Sequence, residues 1–396
     1  MSHPIPTGEE IVARAQALIP KLRERAEATE KARCVPKETI AEFHEAGFFR
    51  ILQPKRWGGY EMHPNVFNRV LMELARGCPS SAWVVMVLGV HPFEFGVLDP
   101  RAGDELWGKD DSLLVSSSYA PFGKAKVVEG GYILNGEWHT SSGCDHSHGG
   151  AVVGARILDE QGRPVDYRAF WVPRDQYEFV DDWHVVGLQG TGSKSLRLNK
   201  DVFVPAYRSH SIHAYSQQSH GHLDSPLYRL PFFFIFYSAV SSVLIGMARG
   251  MVDLYIEHMG VRQNISQSVG AAAQNPYVKS TLGRAAAMIL AAQTRVLYNA
   301  DEAWSYTSKG GLVPQEVRIR HFTTNQFTGG DCFDAAHMLF KKTATRGVWL
   351  SSPIQRQMRD ILVGANHVTQ NSDDMSDLLG GQLLGNPLPA GTPFSS

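Results

Sequence analysis

The sequence is poor in cysteine and has no cysteine pair. Cys34, Cys78, Cys144 and Cys332 stand far apart, with no C-x-x-C among them, which argues against structural zinc and a disulfide framework. Charge of either sign is not in excess: 38 Lys plus Arg oppose 39 Asp plus Glu, for a net −1. No broad field exists to attract nucleic acid or anionic lipid, and no Lys/Arg run suggests a local one. There is no G-x-G-x-x-G opening a helix after a strand, hence no nicotinamide site. There is no G-x-S-x-G, hence no nucleophile elbow. The run GLQGTGSK (Gly187 to Lys194) looks like a phosphate loop but ends in Ser-Lys between strand-like flanks, so it reads as a turn. The opening MSHPIPTGEE has no basic segment followed by an apolar one, and the expectation is a cytoplasmic chain without a secretory signal. The most apolar stretch, Pro231 to Ala248, is interrupted by Ser238, Ser241 and Ser242. It reads as a buried helix or aromatic wall rather than a bilayer span.

What is present divides into three parts. The first is helical. Thr7 and Glu10 form a capping box that opens a helix at Gly8, and Ile11, Ala15, Leu18 and Leu22 recur at helical spacing. Pro20 should kink or break that helix. Pro36 suits a first helical position and Gly47 the residue past the next helix end. A third helix is expected over Asn65 to Arg76, and a fourth, apolar nearly all round, over Ser80 to Gly89. From Leu113 to Pro205 the pattern changes to short alternating runs separated by glycine turns, including Gly130–Gly131 and a hairpin signal at Asn135–Gly136. These runs predict an inserted antiparallel β unit. Long helical patterns return after Leu230 and persist to Gly380. The expected fold class is therefore α+β, mainly α. Its parts are an N-terminal helical domain (1–112), a middle antiparallel β domain (113–222) and a C-terminal helical bundle with an extended tail (223–396). His210, His213, His220 and His222 lie in a polar segment with no Cys or carboxylate at ligand spacing. That segment reads as a mobile loop or substrate lid, and no metal site is expected.

Several segments carry a family resemblance. SSSYAP (Ser116 to Pro121), GGYILNGEWHTSSGCDH (Gly130 to His146), GLQGTGSK and DVFVPAYR (Asp201 to Arg208) are similar to two-component flavin-dependent monooxygenases of the acyl-CoA dehydrogenase fold. That group includes the oxygenase components of p-hydroxyphenylacetate hydroxylase and of the steroid-phenol hydroxylase of cholesterol breakdown. LQPKRWGGYEM (Leu52 to Met62), PIQRQMRD (Pro353 to Asp360) and GANH (Gly364 to His367) extend the resemblance along nearly the whole chain. The resemblance implies a flavin between the β domain and the bundle, and a homotetramer. It implies hydroxylation of a phenolic or indole-like ring by dioxygen and reduced FMN or FAD, through a flavin C4a-hydroperoxide. With no pyridine-nucleotide domain in the sequence, the reduced flavin is expected from a separate NAD(P)H:flavin reductase by diffusion. The fold also serves acyl-CoA dehydrogenases, most of which need a Glu base shortly after an Arg-Asp pair. Here the pair is Arg359-Asp360 and the matching position is Val368, which supplies no base and argues against that chemistry; an acyl-CoA dehydrogenase-like oxidase or desaturase stays as the alternative reading.

The resemblance also assigns candidate residues. Ser142 is the first choice for stabilising activated oxygen near the flavin, although from spacing alone it reads as a turn serine before Gly143. His91 is expected to face the substrate phenol as base or hydrogen-bond partner. Imidazole in general titrates near neutrality, which suits that role. The other reading is a histidine capping a helix end at Gly89. His367 is expected to position oxygen and substrate, with a core histidine as the other reading. Arg262 corresponds to an arginine near the flavin phosphate. Ser117 and Ser141 are expected to line the flavin or substrate side, Ser193 and Lys194 to contact the flavin tail, and Trp138 to pack in the β unit or to border the flavin. Phe233 or a neighbouring aromatic replaces an arginine of the p-hydroxyphenylacetate enzyme. An apolar wall at that place suits a flat hydrophobic substrate.

Overall fold

The computed structural model describes residues 5–159, 161–212, 224–261 and 272–389. The first helix, α1 (Gly8–Ala32), opens with the expected capping box. Thr7 Oγ1 accepts from the Glu10 N–H at 3.2 Å, and the Glu10 carboxylate accepts from the Thr7 N–H at 2.7 Å. Pro20 does not break it. The proline forfeits one bond, to the Gln16 carbonyl, and the packed face of Ile11, Val12, Ala15, Leu22 and Ala26 outweighs that loss. α2 (Lys37–Glu45) takes Pro36 as its cap rather than its first helical residue, and Gly47 follows it at φ 81°. α3 (Pro64–Gly77), α4 (Pro79–Val97) and α5 (Pro100–Trp107) complete the first unit.

α4 runs two turns beyond the expected end, through Gly89 and Pro92. All its residues except Val87 are buried. A helix enclosed on every side shows no change of apolar pattern at its true end, and enclosure tolerates the one bond that Pro92 forfeits. This places His91 inside a helix, not at a helix C-terminus.

The β unit comprises β1 (Val115–Val128), β2 (Gly131–Asn135), β3 (Glu137–Ser141), β4 (Gly150–Leu158), β5 (Pro164–Val172), β6 (Glu178–Val180), β7 (Lys194–Arg197), β8 (Val202–Pro205) and β9 (Ser209–Ser211). One sheet has the order β8-β2-β1-β4-β5-β9 and a second the order β3-β7-β6. Two expectations need correction. The unit is not wholly antiparallel, because β1 and β4 pair parallel. Asn135–Gly136 is not a hairpin, because β2 pairs with β1 and β8 whereas β3 pairs with β7. The chain passes from one sheet to the other there, and a Cβ on Gly136 would press on the Gly123 backbone and the Trp138 ring. The real hairpin turn is at Gly130, φ 78°. Between the sheets lies a core of Ala125, Leu134, Trp138, Val153, Phe170 and Leu196.

The C-terminal helices are α6 (Phe232–Val261), α7 (Pro276–Thr307), α8 (Gln315–Gln326), α9 (Thr328–Phe340), α10 (Pro353–Ala365) and α11 (Asp373–Leu383). By length and composition α4 and α6 could each cross a membrane, yet 94% and 78% of their apolar windows are buried inside the fold. α6 is the centre of one hydrophobic core that joins the N-terminal helices to the bundle. It approaches α3 so closely that a Cβ on Gly246 would collide with the Met72 carbonyl. A third core couples α4 and α5 to the large sheet through Phe95, Trp107, Val115, Val152 and Trp171.

Candidate active site

Strand alternation decides which residues of β1 face the helices. Val115 packs in the core shared with α4 and α5, so the residues two and four places on, Ser117 and Tyr119, lie on that same face. Ser116 and Ser118 point the other way. Ser116 bonds Ser147 at 3.0 Å, and Ser118 donates to the His139 carbonyl at 2.6 Å. Ser117 is half-buried, on the helix-facing side.

Opposite that face, α4 presents His91 and Glu94, one turn apart. Glu94 is fully buried and receives three donors. His91 Nδ1 and Tyr119 OH each lie 2.7 Å from Oε2, and His210 Nε2 lies 2.7 Å from Oε1. Burial alone would push this carboxyl up. The hydrogen bonds from His210 and His91 outweigh burial and hold it at about 2. Glu94 is therefore a carboxylate, and the Tyr119 phenol is pushed well up, by burial first and by Glu94 second. A carboxylate accepts only, so His91 carries its proton on Nδ1 in the neutral ring and exposes a bare lone pair at Nε2. That Nε2 is buried and has no hydrogen-bond partner among the described residues.

An aromatic wall encloses His91. Phe236 of α6 lies 5.9 Å from the imidazole and 5.6 Å from the Tyr119 ring. Phe232 packs on Phe236 at 4.9 Å and on His210 at 4.9 Å. Phe233 belongs to the cluster but not to its inner edge. It packs on Phe232, Phe236 and Tyr237, so the neighbour of His91 is Phe236, one helical turn further on.

The second part of the site is the contact between two loops. β3 is interrupted by a bulge before Ser141, and Thr140 sits at φ 61°. A β-branched residue there costs about 1–3 kcal/mol of local strain. The strained turn delivers Ser142 to Ser193, Oγ to Oγ 2.7 Å. The GLQGTGSK segment is a turn, as expected, with Leu188 at φ 51° and Gly192 at φ 55°. It is pinned from both sides. The Gly143 N–H donates to the Thr191 carbonyl at 2.9 Å, and Lys194 Nζ bonds Asp145 at 2.6 Å. Asp360 accepts from the Leu188 N–H at 2.6 Å. Burial pushes Asp360 up to about 7, with the Leu188 N–H opposing. Gly143, at φ 69°, lies against Val84 and Leu88 of α4, one turn before His91. The same helix therefore sets both the serine loop and the imidazole.

His367 follows α10. Its Nδ1 accepts from the Thr369 N–H at 3.3 Å and pairs with the Thr369 hydroxyl at 2.9 Å. Burial pushes the ring down to about 4, so it is neutral near neutral pH. With Nδ1 accepting, the proton sits on Nε2, and His367 presents a donor where His91 presents an acceptor. Trp83 of α4 holds its ring edge-on at 5.5 Å. Val368 stands beside it, 77% exposed, and the chain has no carboxylate between Ile361 and Ser372.

Trp138, as one of its two readings had it, and Ser141 both lie inside the β unit. Trp138 is a packing residue of the β core, 1% exposed, donating to the Gly154 carbonyl at 2.6 Å. Ser141 is 0% exposed and donates to Ser116 at 3.0 Å in a hydroxyl chain that ends on the Cys144 carbonyl. Arg262, His213, His220 and His222 lie outside the described residues. Sequence reasoning missed Glu94, Tyr119, Thr191 and Phe236. His91 and Glu94 at i, i+3 on an apolar helix was the one available signal.

Two family models match the chain: "Acyl-CoA dehydrogenase, N-terminal domain" over 8–95 and "Acyl-CoA dehydrogenase, C-terminal domain" over 238–372. The oxygenase subunit HsaA of a flavin-dependent monooxygenase from Mycobacterium tuberculosis is 36% identical, over 96% of both chains. The HsaA crystal structure superposes with a TM-score of 0.91, covering 98% of this chain and 100% of that one. The oxygenase component of p-hydroxyphenylacetate 3-hydroxylase from Acinetobacter baumannii is 32% identical, over 96% of this chain and 90% of its own. XiaF from a Streptomyces species, solved with FADH2 and glycerol, is 26% identical over 96% of this chain and 97% of that one, with a TM-score of 0.90.

Proposed function

Because the chain belongs to the oxygenase components of flavin-dependent aromatic monooxygenases built on the acyl-CoA dehydrogenase fold, we propose that it hydroxylates a hydrophobic phenol or indole-like ring held between α4, β1 and the phenylalanine face of α6. The observation that carries this reading is His91: buried, its Nδ1 committed to Glu94, its Nε2 without a partner among the described residues. A buried acceptor without a donor is costly, by about 1–3 kcal/mol, and a phenol O–H or indole N–H relieves that cost. Taking up that hydrogen bond moves electron density into the ring, which favours attack by an electrophilic oxygen. Phe232, Phe233 and Phe236 supply flat apolar contact, and no free charge of the described wall would satisfy a carboxylate-bearing substrate.

The polar set fits a flavin. Ser142, Ser193 and Ser117 offer neutral hydroxyl oxygens, His367 offers an N–H, and Glu94, the carboxylate of the inner wall, is consumed by three donors. Ser142, Ser193 and Ser117 would hold the ring system, and Arg262 its phosphate. When bound, reduced FMN or FAD activates dioxygen and supplies the oxygen atom transferred to the substrate. His367, neutral and donating from Nε2, orients oxygen and substrate on the bundle side. Enclosure by α4, β1 and α6 excludes water from the reacting centre. The words "subunit" and "component" in the relatives' names support a separate reductase as the source of reduced flavin. Exposed Tyr277, Leu290 and Tyr298 along α7 support a homotetramer packed through the bundle.

The test is a single turnover. Anaerobic protein with reduced FMN, then with reduced FAD, is mixed with ¹⁸O-labelled dioxygen and a panel of phenols and indoles. One labelled oxygen in a hydroxylated product is the expected result. Hydrogen peroxide alone, with every compound and both flavins, would overturn the reading.

A further inference from the structure

We propose that Thr191 and Ser193 select the redox state of the flavin this protein holds, by fixing the Ser142 hydroxyl as a hydrogen-bond acceptor. The inference rests on the reading that a flavin ring lies against Ser142.

The argument is proton counting along one chain of hydroxyls. Each hydroxyl has a single proton to donate, and a carbonyl oxygen has none. Thr191 Oγ1 lies 2.8 Å from the Leu188 carbonyl oxygen, so the Thr191 proton is spent there. Thr191 Oγ1 also lies 2.6 Å from Ser193 Oγ. That bond must then use the Ser193 proton. Ser193 Oγ in turn lies 2.7 Å from Ser142 Oγ, and this bond must use the Ser142 proton. What the Ser142 oxygen has left to offer a ligand is a lone pair. All three side chains are buried, at 2%, 2% and 8% exposure, so water does not readily scramble the order.

The anchor of the chain is itself held. The Leu188 carbonyl also accepts from Trp183 Nε1 at 3.0 Å, and the Leu188 N–H is tied to Asp360 at 2.6 Å. Leu188 adopts φ 51° to point both groups at once. The Gly143 N–H on the Thr191 carbonyl at 2.9 Å keeps the two loops in register. Removing the Thr191 hydroxyl would leave the carbonyl with its other donors but would release the direction of every proton downstream.

A ligand feels that direction. A reduced isoalloxazine carries an N–H at the central-ring nitrogen between the benzenoid and pyrimidine rings. The oxidised ring carries a lone pair at that atom. An acceptor-only Ser142 attracts the first and repels the second. An unconstrained serine rotates to serve either. In a two-component system this matters, because the oxygenase must capture reduced flavin while oxidised flavin is also in solution.

The experiment is equilibrium binding of reduced and oxidised FMN, measured anaerobically by ultrafiltration, to wild type, Thr191→Val, Thr191→Ser and Ser193→Ala. Wild type should favour reduced FMN. Thr191→Val and Ser193→Ala should each lower the reduced-to-oxidised preference about tenfold, the worth of one hydrogen bond, chiefly by tighter binding of oxidised FMN. Thr191→Ser, which keeps the hydroxyl, should keep the wild-type ratio. An unchanged ratio in both hydroxyl-deleted variants overturns the proposal, and if one of them fails to fold the other decides. Wild type that binds neither form would overturn the flavin reading itself, a separate and distinguishable failure.

Discussion

His91 Nδ1 and Glu94 Oε2 lie 2.7 Å apart on one turn of a helix that is buried on nearly every side. The pair makes a function of a placement that would otherwise only destabilise. The carboxylate fixes the imidazole tautomer and leaves Nε2 without a partner among the described residues, in a ring that packs on Phe236. Tyr119 and His210 arrive from β1 and β9 to give Glu94 two further donors. The positioning group thus keeps its charge in a low-dielectric setting.

Glu94→Gln should therefore lower kcat for phenols by about 10²-fold. A carboxamide offers one accepting oxygen and turns an N–H₂ toward a donor, so one of its three partners must flip or lose its bond. Single-turnover product yield reads the effect. The loss should shrink for phenols already ionised at the assay pH, because these need no help from His91. An equal loss across phenols of all acidities would mean that Glu94 acts on folding and not through the imidazole.

The α–β–α order, the capping box of α1 and the GLQGTGSK turn were legible because each is a local pattern read within about ten residues. The true end of α4 was not, since Gly89 and Pro92 carry terminator signals that enclosure overrides. The relationships that build the site are long-range. Glu94 meets His210 across 116 positions and Ser142 meets Ser193 across 51. No periodicity connects such positions, and only the resemblance drew Ser142 and His91 out of the background. It also nominated Ser141 and left Trp138 as a packing residue or a flavin neighbour; Trp138 lies in the β core and Ser141 bonds Ser116.

Asp360 gives a pH prediction with a definite sign. Its pKa is raised by burial to about 7 from the ordinary 3.8. The unfolded chain loses this proton first, so stability from Asp360 is full below the unfolded value and falls as pH rises through about 7. Asp360→Asn keeps an oxygen for the Leu188 N–H and removes the cost of charging. The variant should gain stability relative to wild type as pH rises toward about 8, by a few kcal/mol at most, roughly 1.4 kcal/mol for each unit of the shift. Urea unfolding across that range tests it. A difference between the two proteins that does not vary with pH would show that Asp360 is already ionised at low pH.

His367 predicts the opposite slope at lower pH. Its ring is held down to about 4 by burial, against 6.5 in the ordinary case. The unfolded chain gains the proton first, so stability is full above the ordinary value and is lost as pH falls from there toward about 4. His367→Asn should flatten that acid limb in thermal unfolding. The same shift keeps the wild-type ring neutral through the working range. Hydroxylation should then show no break in its pH profile that His367→Asn abolishes.

The aromatic wall predicts how substrate choice moves. Phe233 is half-buried and sits one turn from Phe236, at the outer side of the cluster around His91. A long guanidinium introduced there can hold its charge away from His91 while its stem lies on Phe232 and Tyr237. Phe233→Arg should lower KM for aromatic carboxylic acids, through a charge-assisted pair worth about tenfold or more. It should raise KM for apolar phenols by a similar factor through lost ring contact. Phe236→Arg should not reproduce this exchange, because the charge would fall beside His91 and within reach of the Glu94 network. There it should depress kcat for every substrate. The two variants, compared on one phenol with and without a carboxylate, separate recognition at Phe233 from chemistry at the imidazole. A Phe233→Arg enzyme with an unaltered ratio of KM values would place the substrate against some other wall of the fold.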